Sequence, residues 1–334
     1  MPDTVGAVLT RPVVDGETAR RILREQWGMV GDPRPLPSER DRNFAVTIDG
    51  TDRAVLKVSN AAEDLAFLEM QHLAMHRLVA AGVPCQLPVP TPAGEEIVSV
   101  ELDRARSTYV RVLTWLPGRP LGQVPVADRP IELLEDLGRT MGRTASALGG
   151  FDHPAAHRTF QWEASRGLAV IDAHAGAIGD RARRAVLASW RERLAPLADR
   201  LPTLRARVIH NDANDHNVLV AADDRSVSGL LDLGDAVWSV TVNELAVAAA
   251  YAALDAPDPL AVIAAVRRGF EAELPLTEAE AATVLDLVAL RLCTSVVLSA
   301  HQSRLAPDDP YLTISEAPAW ALLKRLRSHE TMDA

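Results

Sequence analysis

Cysteine and lysine are the scarcest reactive residues in this chain. Cys85 and Cys293 are its only cysteines in 334 residues, and two so far apart in sequence point to neither a disulfide framework nor a cysteine-based zinc site. The nine histidines show no HExxH or comparable spacing, so no helix-borne zinc site is expected. Basic residues number 35 against 45 acidic ones, for a net charge of −10. No global field therefore draws the protein to nucleic acid or to an anionic membrane, although a local basic cleft is compatible with this balance. Aromatic residues make up 4 % of the chain, which disfavours a large aromatic cage for a quaternary ammonium group. The Leu245 to Leu254 run reads as the longest apolar stretch, well short of the roughly 20 residues that cross a bilayer. The opening MPDTVGAVLT has no basic segment ahead of a long apolar core, so no secretory signal is expected. Together these absences predict a soluble cytoplasmic protein without nucleic-acid or membrane partners.

What is present lies near the globular average: 48 % hydrophobic and 24 % charged, with 19 Gly and 22 Pro. Such a length supports one large or two modest domains around substantial cores. In the N-terminal third, Phe44, Val46 and Ile48 alternate with polar or small residues, Asp49-Gly50 supplies a turn, and RAVLKVS follows as a second extended run, which together signal a hairpin. Glu63 to Ala80 carries Leu65, Leu68, Leu73, Met75 and Leu78 at helical spacing, ending near Gly82 and Pro84. After a proline-rich stretch, EIVSVEL and STYVRVLTWL read as a further strand pair on the same sheet. Pro117-Gly118 in TWLPGRPL then marks a linker. From Ile131 the chain turns helical, through an Arg/Ala-rich region around 165–200 to segments at 241–254, 258–272, 277–304 and 317–327. One polar island, RVIHNDANDHNVLV and SVSGLLDLGDAV, interrupts them. The expected organisation is a sheet-plus-helix lobe over 1–115 and a mainly helical lobe over 116–334.

The island concentrates the chemistry. It holds His210-Asn211-Asp212, Asn217 after four intervening residues, and Asp232-Leu233-Gly234-Asp235 at the end of an apolar run. Three of the six asparagines fall between Asn211 and Asn217. An ionised Asp232 emerging from a buried strand is costly unless a cation or several donors meet it. Phosphoryl transfer asks for these parts: one carboxylate to orient the attacking hydroxyl and accept its proton, and an amide oxygen with a second carboxylate to hold Mg2+ against phosphates. The alternative is a polar hairpin whose Asn and Asp side chains cap turns.

The pattern His210-x-Asp212-(x)4-Asn217 followed by Asp232 resembles the catalytic and metal motifs of the aminoglycoside phosphotransferase and choline kinase superfamily. HNDANDHN, LDLGD, VNELAVAAAYA and PYLTISEAPAWALL resemble its hydroxylysine-kinase-like branch, and the kinase domains that accompany class III aminotransferases in some fused proteins. The resemblance implies an α+β, bilobal, protein-kinase-like fold with a small antiparallel-sheet N-lobe and a mainly helical C-lobe. It makes Asp212 the catalytic base, Asn217 and Asp232 the magnesium ligands, and His210 a structural member of the loop. Lys57, one of only two lysines, becomes the phosphate-binding lysine, paired with Glu69 or alternatively Glu63 on the following helix; otherwise it is an edge-strand lysine guarding against aggregation. The loop Ser38 to Asn43 occupies the phosphate-covering position without a glycine, so Ser38, Arg42 or Asn43 would serve there. Thr114, Trp115 and Leu116 would form the hinge that binds the purine.

Further candidates surround these. Asp235 and Asp215 would line the acceptor site or cap local turns. Thr241-x-x-Glu244 reads as a capping box without a catalytic role. Arg291, between Leu290 and Leu292 in a helix, calls for an acidic partner or a carboxylate-bearing ligand; Arg304 reads as a helix-end charge. The expected activity is transfer of the γ-phosphate of ATP or GTP to the hydroxyl of a small amino-containing molecule, with 5-hydroxylysine or a related hydroxylated amino acid or amine as acceptor. The alternatives are a kinase for choline, homoserine or an aminoglycoside, and a nucleotide-binding pseudokinase or scaffold. A class III aminotransferase is the implied functional associate.

Overall fold

The computed structural model describes residues 11–38, 40–103, 106–305 and 316–333. The chain divides into two compact units, Met1–Pro117 and Gly118–Ala334.

The first unit opens with α1 (Gly16–Trp27), whose first turn is capped by Asp15, the Oδ1 atom accepting from the Thr18 N–H at 2.8 Å. Gly28 ends it in the left-handed region, where a side chain would be strained. Five strands follow in an antiparallel sheet: β1 (Asp32–Leu36), β2 (Arg42–Ile48), β3 (Thr51–Val58), β4 (Val98–Asp103) and β5 (Arg106–Thr114), in the order β1-β2-β3-β5-β4. The Asp49-Gly50 turn lies between β2 and β3, both residues at positive φ. Pro33 and Pro35 lie in β1, tolerable because an edge strand pairs on one side only. Ile22, Leu23 and Trp27 of α1 pack with Phe44, Val46, Leu56, Val58, Val110 and Val112 into one buried core. Helix α2 (Leu65–Ala80), capped by Asp64, connects β3 to β4.

Because β3 is interior to the sheet and Lys57 is buried, the edge-strand reading of that lysine does not hold. The register sets Asn43 opposite Lys57 on one side and Arg111 opposite it on the other. Directly opposed residues share a sheet face, so Asn43, Lys57 and Arg111 form a row across three strands.

The second unit is helical around two small antiparallel sheets. Its elements begin with β6 (Arg119–Pro120), α3 (Ile131–Ala147), α4 (Gly167–His174), α5 (Arg181–Leu194) and α6 (Leu197–Arg200). Strands β7 (Ala206–Ile209), β8 (Val218–Val220), β9 (Val227–Leu230) and β10 (Val237–Val240) follow. One sheet has the order β6-β8-β9 and the other pairs β10 with β7. The chain continues through α7 (Val242–Ala252), α8 (Pro259–Glu273), α9 (Glu278–Ala281), α10 (Val284–Leu305) and α11 (Glu316–Asp333).

Helices α3 and α8 cross so closely that a Cβ at Gly138 would strike the Val266 carbonyl, and one at Gly269 the Glu135 carbonyl. The single segment expected over 277–304 is instead α9 and α10. Thr277 and Glu280 form a true capping box there, and the Glu280 carboxylate also binds Arg205 Nε at 2.8 Å. At the start of α7 the expected box is absent: Thr241 is already in helical backbone and makes no side-chain cap bond.

Among the described residues, helix α10, not the Leu245 to Leu254 run, is the segment long and apolar enough by composition to cross a bilayer. Its most apolar window is 72 % buried within the protein, as the central helix of a packed core would be. Arg304, near its C-terminal end, donates to the Gly176 and Ala177 carbonyls.

Candidate active site

In the second unit, β7 delivers His210 into a buried position, and the loop beyond it is built from short-range hydrogen bonds. His210 donates from Nε2 to the Leu231 carbonyl (2.9 Å) and accepts the Asp212 N–H at Nδ1 (3.2 Å). Those partners define the neutral tautomer, and burial holds the imidazole pKa below its ordinary value. The ring thus ties the loop to the end of β9. Asn211 sits at φ 65°, an uncommon conformation for a residue with a side chain. It is pinned on three sides: its N–H donates to Glu244 Oε2 (3.2 Å), its Oδ1 accepts from Asn243 Nδ2 (2.9 Å), and its Nδ2 donates to the Asp235 carbonyl (3.4 Å).

Asp212 is the next residue, its side chain one-fifth exposed. Oδ2 accepts from Asn217 Nδ2 at 2.7 Å, while Oδ1 accepts from Asn214 Nδ2 and from Arg291 Nη2, both at 3.0 Å. Removal from solvent, and then the Asp235 carboxylate, raise the Asp212 carboxyl well above the usual range; Arg291 and Asn214 act against them. Asn217 commits its NH2 group to Asp212, to the carboxylate and to the backbone carbonyl at 3.0 Å. Its remaining side-chain function is an oxygen acceptor, the atom type that Mg2+ takes.

Asp232 reaches the same hairpin from the other side. The Leu231 N–H donates to the Asn217 carbonyl at 2.8 Å, continuing the β8–β9 pairing to the residue before Asp232. Asp232 itself lies at φ 58°, and its Oδ1 accepts the Gly234 N–H at 2.9 Å. A Cβ on Gly234 would meet that oxygen at 2.9 Å, which explains the glycine. Among the described residues no cluster of three or more His, Cys, Asp or Glu makes a metal cage. The donor set of Asn217 and Asp232 suits Mg2+, which commonly binds through one or two protein oxygens and fills its remaining positions with phosphate and water.

Around this core, Asp235 is buried within electrostatic reach of Asp212. Asp215 instead packs beside Gly122, accepting its N–H at 2.8 Å on the backbone carbonyl. Arg291 is buried, with Cζ 4.4 Å from the centre of the Trp162 ring and 5.5 Å from that of Tyr251. Glu244 is also buried, and desolvation lifts its carboxyl to about 8 although backbone N–H groups of Asn211 and His210 favour the anion. The expectation of a capping role for Glu244 is overturned: it braces the catalytic-type loop. Trp162 carries no local motif, and the segment VNELAVAAAYA, which holds Glu244 and Tyr251, gives neither of them a place in the site from sequence alone.

In the first unit, the Asn43 Oδ1 atom is buried without a hydrogen-bond partner beside Lys57. Glu69 lies on the exposed side of α2, whereas Glu63 is half-buried just before that helix and accepts from Asn60 Nδ2 at 3.5 Å. Arg42 is turned to other work, donating to the Val14 carbonyl (3.3 Å) and resting on the Phe44 ring. The turn before β2 is instead fastened by Asp41, which accepts the Asn60 N–H at 3.1 Å. Arg111 donates to Gln71 at 2.7 Å. Burial first, then the charges of Arg111, His76 and Lys57, push the neighbouring His72 down to about 3. Thr114 is engaged internally: its hydroxyl accepts from Leu87 N–H and its carbonyl from Gln86 Nε2, both at 3.0 Å. The Trp115 N–H donates to the Arg53 carbonyl at 3.1 Å. Of the three hinge candidates, Leu116 and the carbonyl of Trp115 show no such tie among the described residues.

The fold is the mixed helix-and-sheet architecture of aminoglycoside kinases, and the chain belongs to the phosphotransferase enzyme family, whose model matches residues 32–282. It is 30 % identical to hydroxylysine kinases of Bos taurus and Mus musculus, each match spanning 95 % of this chain and 90 % of the relative. Among solved structures it resembles an amicoumacin kinase in complex with AMP-PNP and Ca2+ (TM-score 0.70, 16 % identity, 93 % and 94 % of the two chains). A microcompartment-associated aminopropanol kinase is also similar (TM-score 0.66, 16 % identity, 94 % and 98 %).

Proposed function

We propose that this phosphotransferase is a kinase of small hydroxylated amines, transferring the γ-phosphate of ATP or GTP to the hydroxyl of 5-hydroxylysine or a related hydroxylated amino acid. The carrying observation is the fixed Asp212 carboxylate, held by Asn217, Asn214 and Arg291 yet open to solvent over part of its surface. A carboxylate so oriented accepts the proton of an approaching hydroxyl, and positioning supplies most of the remaining acceleration. Asn217 and Asp232 would hold Mg2+, which neutralises charge on the phosphates when bound. Lys57 and Asn43 form the phosphate-facing pair of the first unit, with Glu63 or Glu69 as the acidic partner of the lysine. The Trp115 carbonyl and the Leu116 backbone serve the purine.

The hydroxylysine kinase relatives support this acceptor, since they match over nearly the whole chain. Asp235 and Asp215 suit its protonated amines. Choline is disfavoured because the aromatic faces beside Asp212, Trp162 and Tyr251, are already occupied by the Arg291 guanidinium.

Nucleotide consumption measured over a panel of hydroxylated amines tests the reading. Asp212→Asn is expected to lower kcat by about 10²–10⁴-fold while nucleotide affinity stays within about threefold. Lys57→Met is expected to raise the nucleotide KM by at least about tenfold. Acceptor phosphorylation by Asp212→Asn at the wild-type rate rejects the assignment of the base. Nucleotide binding without turnover on any acceptor favours the pseudokinase.

A further inference from the structure

Resting on the kinase reading above, we propose that Arg291 is the carboxylate-recognition residue of the acceptor site, so that the natural acceptor is a free amino acid rather than a simple amino alcohol. Three observations converge on it. First, Arg291 is 6 % exposed; Nη2 contacts Asp212 and the Tyr251 hydroxyl also interacts with the guanidinium, while the Nε and Nη1 atoms are buried without hydrogen-bond partners. An arginine fork carries five N–H donors, and leaving several buried and unmet is costly. A carboxylate takes two N–H groups on one edge of such a fork, Nε with Nη2 or Nη1 with Nη2, so here it pairs one unmet nitrogen with the second N–H of Nη2.

Second, the guanidinium is set in place before any ligand arrives. It lies over Trp162 and beside Tyr251 on a buried helix, so little freedom is lost when it binds an anion. Third, the surroundings are acidic. Asp212 and Asp235 both act electrostatically on Arg291, and Asp232 acts on Asp212. Such a site attracts an ammonium group without help, but it repels a carboxylate unless a cation receives it. Arg291 is that cation, with Nη1 on the same guanidinium carbon as the nitrogen that touches Asp212.

The dimensions agree. In 5-hydroxylysine the hydroxyl-bearing carbon and the carboxylate carbon are joined by four carbon–carbon bonds, each about 1.5 Å long. One molecule of that length can therefore place its hydroxyl at Asp212 and its carboxylate on Arg291, whose Nη2 lies 3.0 Å from the Asp212 carboxylate, leaving its amines to Asp235.

The test compares 5-hydroxylysine with its decarboxylated counterpart, which keeps both amines and the hydroxyl. Wild-type enzyme is expected to favour the amino acid in kcat/KM by at least about tenfold, expressed mainly in KM. Arg291→Met weakens turnover of both because Asp212 loses a partner, but it costs the amino acid at least about tenfold more, erasing the preference. Arg291→Lys, which keeps the charge and loses the fork, should restore part of it. Equal use of both acceptors by the wild type overturns the proposal, and this arm decides it even if no variant folds. Parallel losses in kcat for both acceptors in Arg291→Met also overturn it, making Arg291 a positioning residue for Asp212. Turnover of the decarboxylated amine alone leaves the kinase reading intact while rejecting the carboxylate site. Absence of turnover on every hydroxylated amine rejects the kinase reading itself, and the carboxylate site with it.

Discussion

A carboxyl group with no exposed surface and a backbone N–H for a neighbour is set between two demands, and Glu244 shows how the balance falls. The Asn211 and His210 N–H groups favour the anion, whereas burial disfavours it more strongly and raises the pKa to about 8 from an ordinary 4.5. Below about pH 4.5 both folded and unfolded chains hold this proton; between that value and about 8 only the folded chain does. This contribution to stability is therefore complete in acid and is lost as pH rises through 8, by up to about 1.4 kcal/mol per pH unit. Glu244→Gln is permanently neutral and should lack the dependence. Urea unfolding at pH 5, 6.5 and 8 should show the wild type losing stability relative to Glu244→Gln; a difference that stays constant across the range removes this account. Glu244→Ala orphans the Asn211 N–H and should be about 1–3 kcal/mol less stable than Glu244→Gln at every pH.

At the scale of elements, the crossing of α3 and α8 leaves the least room for substitution. Gly138 faces the Val266 carbonyl and Gly269 the Glu135 carbonyl, so each helix is notched where the other passes. Neither contact can be relieved by turning a flexible side chain, because backbone is on the far side. Gly138→Ala or Gly269→Ala should cost at least about 1–3 kcal/mol, read as a lowered urea midpoint. An Ala variant as stable as the wild type would show that the helices stand farther apart.

Elements also separate what the sequence could reveal from what it could not. The β2–β3 hairpin was legible because alternation and the Asp49-Gly50 turn agree, and α2 because its apolar spacing and its end signals agree. Helix α1 and strand β1 were not: β1 has five residues including Pro33 and Pro35, a pattern that reads as loop until a neighbouring strand pairs with it. The break between α9 and α10 hides in the helix-favouring run EAEAATV, where the Thr277 cap and the tie of Glu280 to Arg205 determine the interruption. The site divides in the same way. Asp212, Asn217 and Asp232 stand in one polar island of the sequence, and their pattern carries the resemblance to phosphotransferase motifs. Trp162 comes from a loop, Glu244 and Tyr251 from α7 and Arg291 from α10, and only packing tells that they share one neighbourhood.

For the whole molecule, the surplus of acidic residues gives a net charge of −10, and it bears on the two proposed substrates with opposite sign. At neutral pH 5-hydroxylysine carries two ammonium groups and one carboxylate, a net cation, so the overall field and the aspartates around Asp212 assist its approach. The nucleotide is a polyanion and must overcome the same field, with Lys57 and Mg2+ as the counter-charges proposed for it. Salt weakens both long-range effects, because the screening length falls from about 30 Å at 0.01 M to about 3 Å at 1 M. Raising ionic strength from about 0.02 to 0.5 M should therefore increase the KM for 5-hydroxylysine by roughly three- to tenfold, while the KM for nucleotide stays level or falls. The chemistry proceeds in a bound complex from which most bulk ions are excluded, so kcat should change by less than about twofold. Steady-state kinetics across that range, at fixed Mg2+ activity, make the comparison. A KM for the cationic acceptor that is flat or falls with salt would mean that neither the net charge nor the aspartate cluster guides it to Asp212.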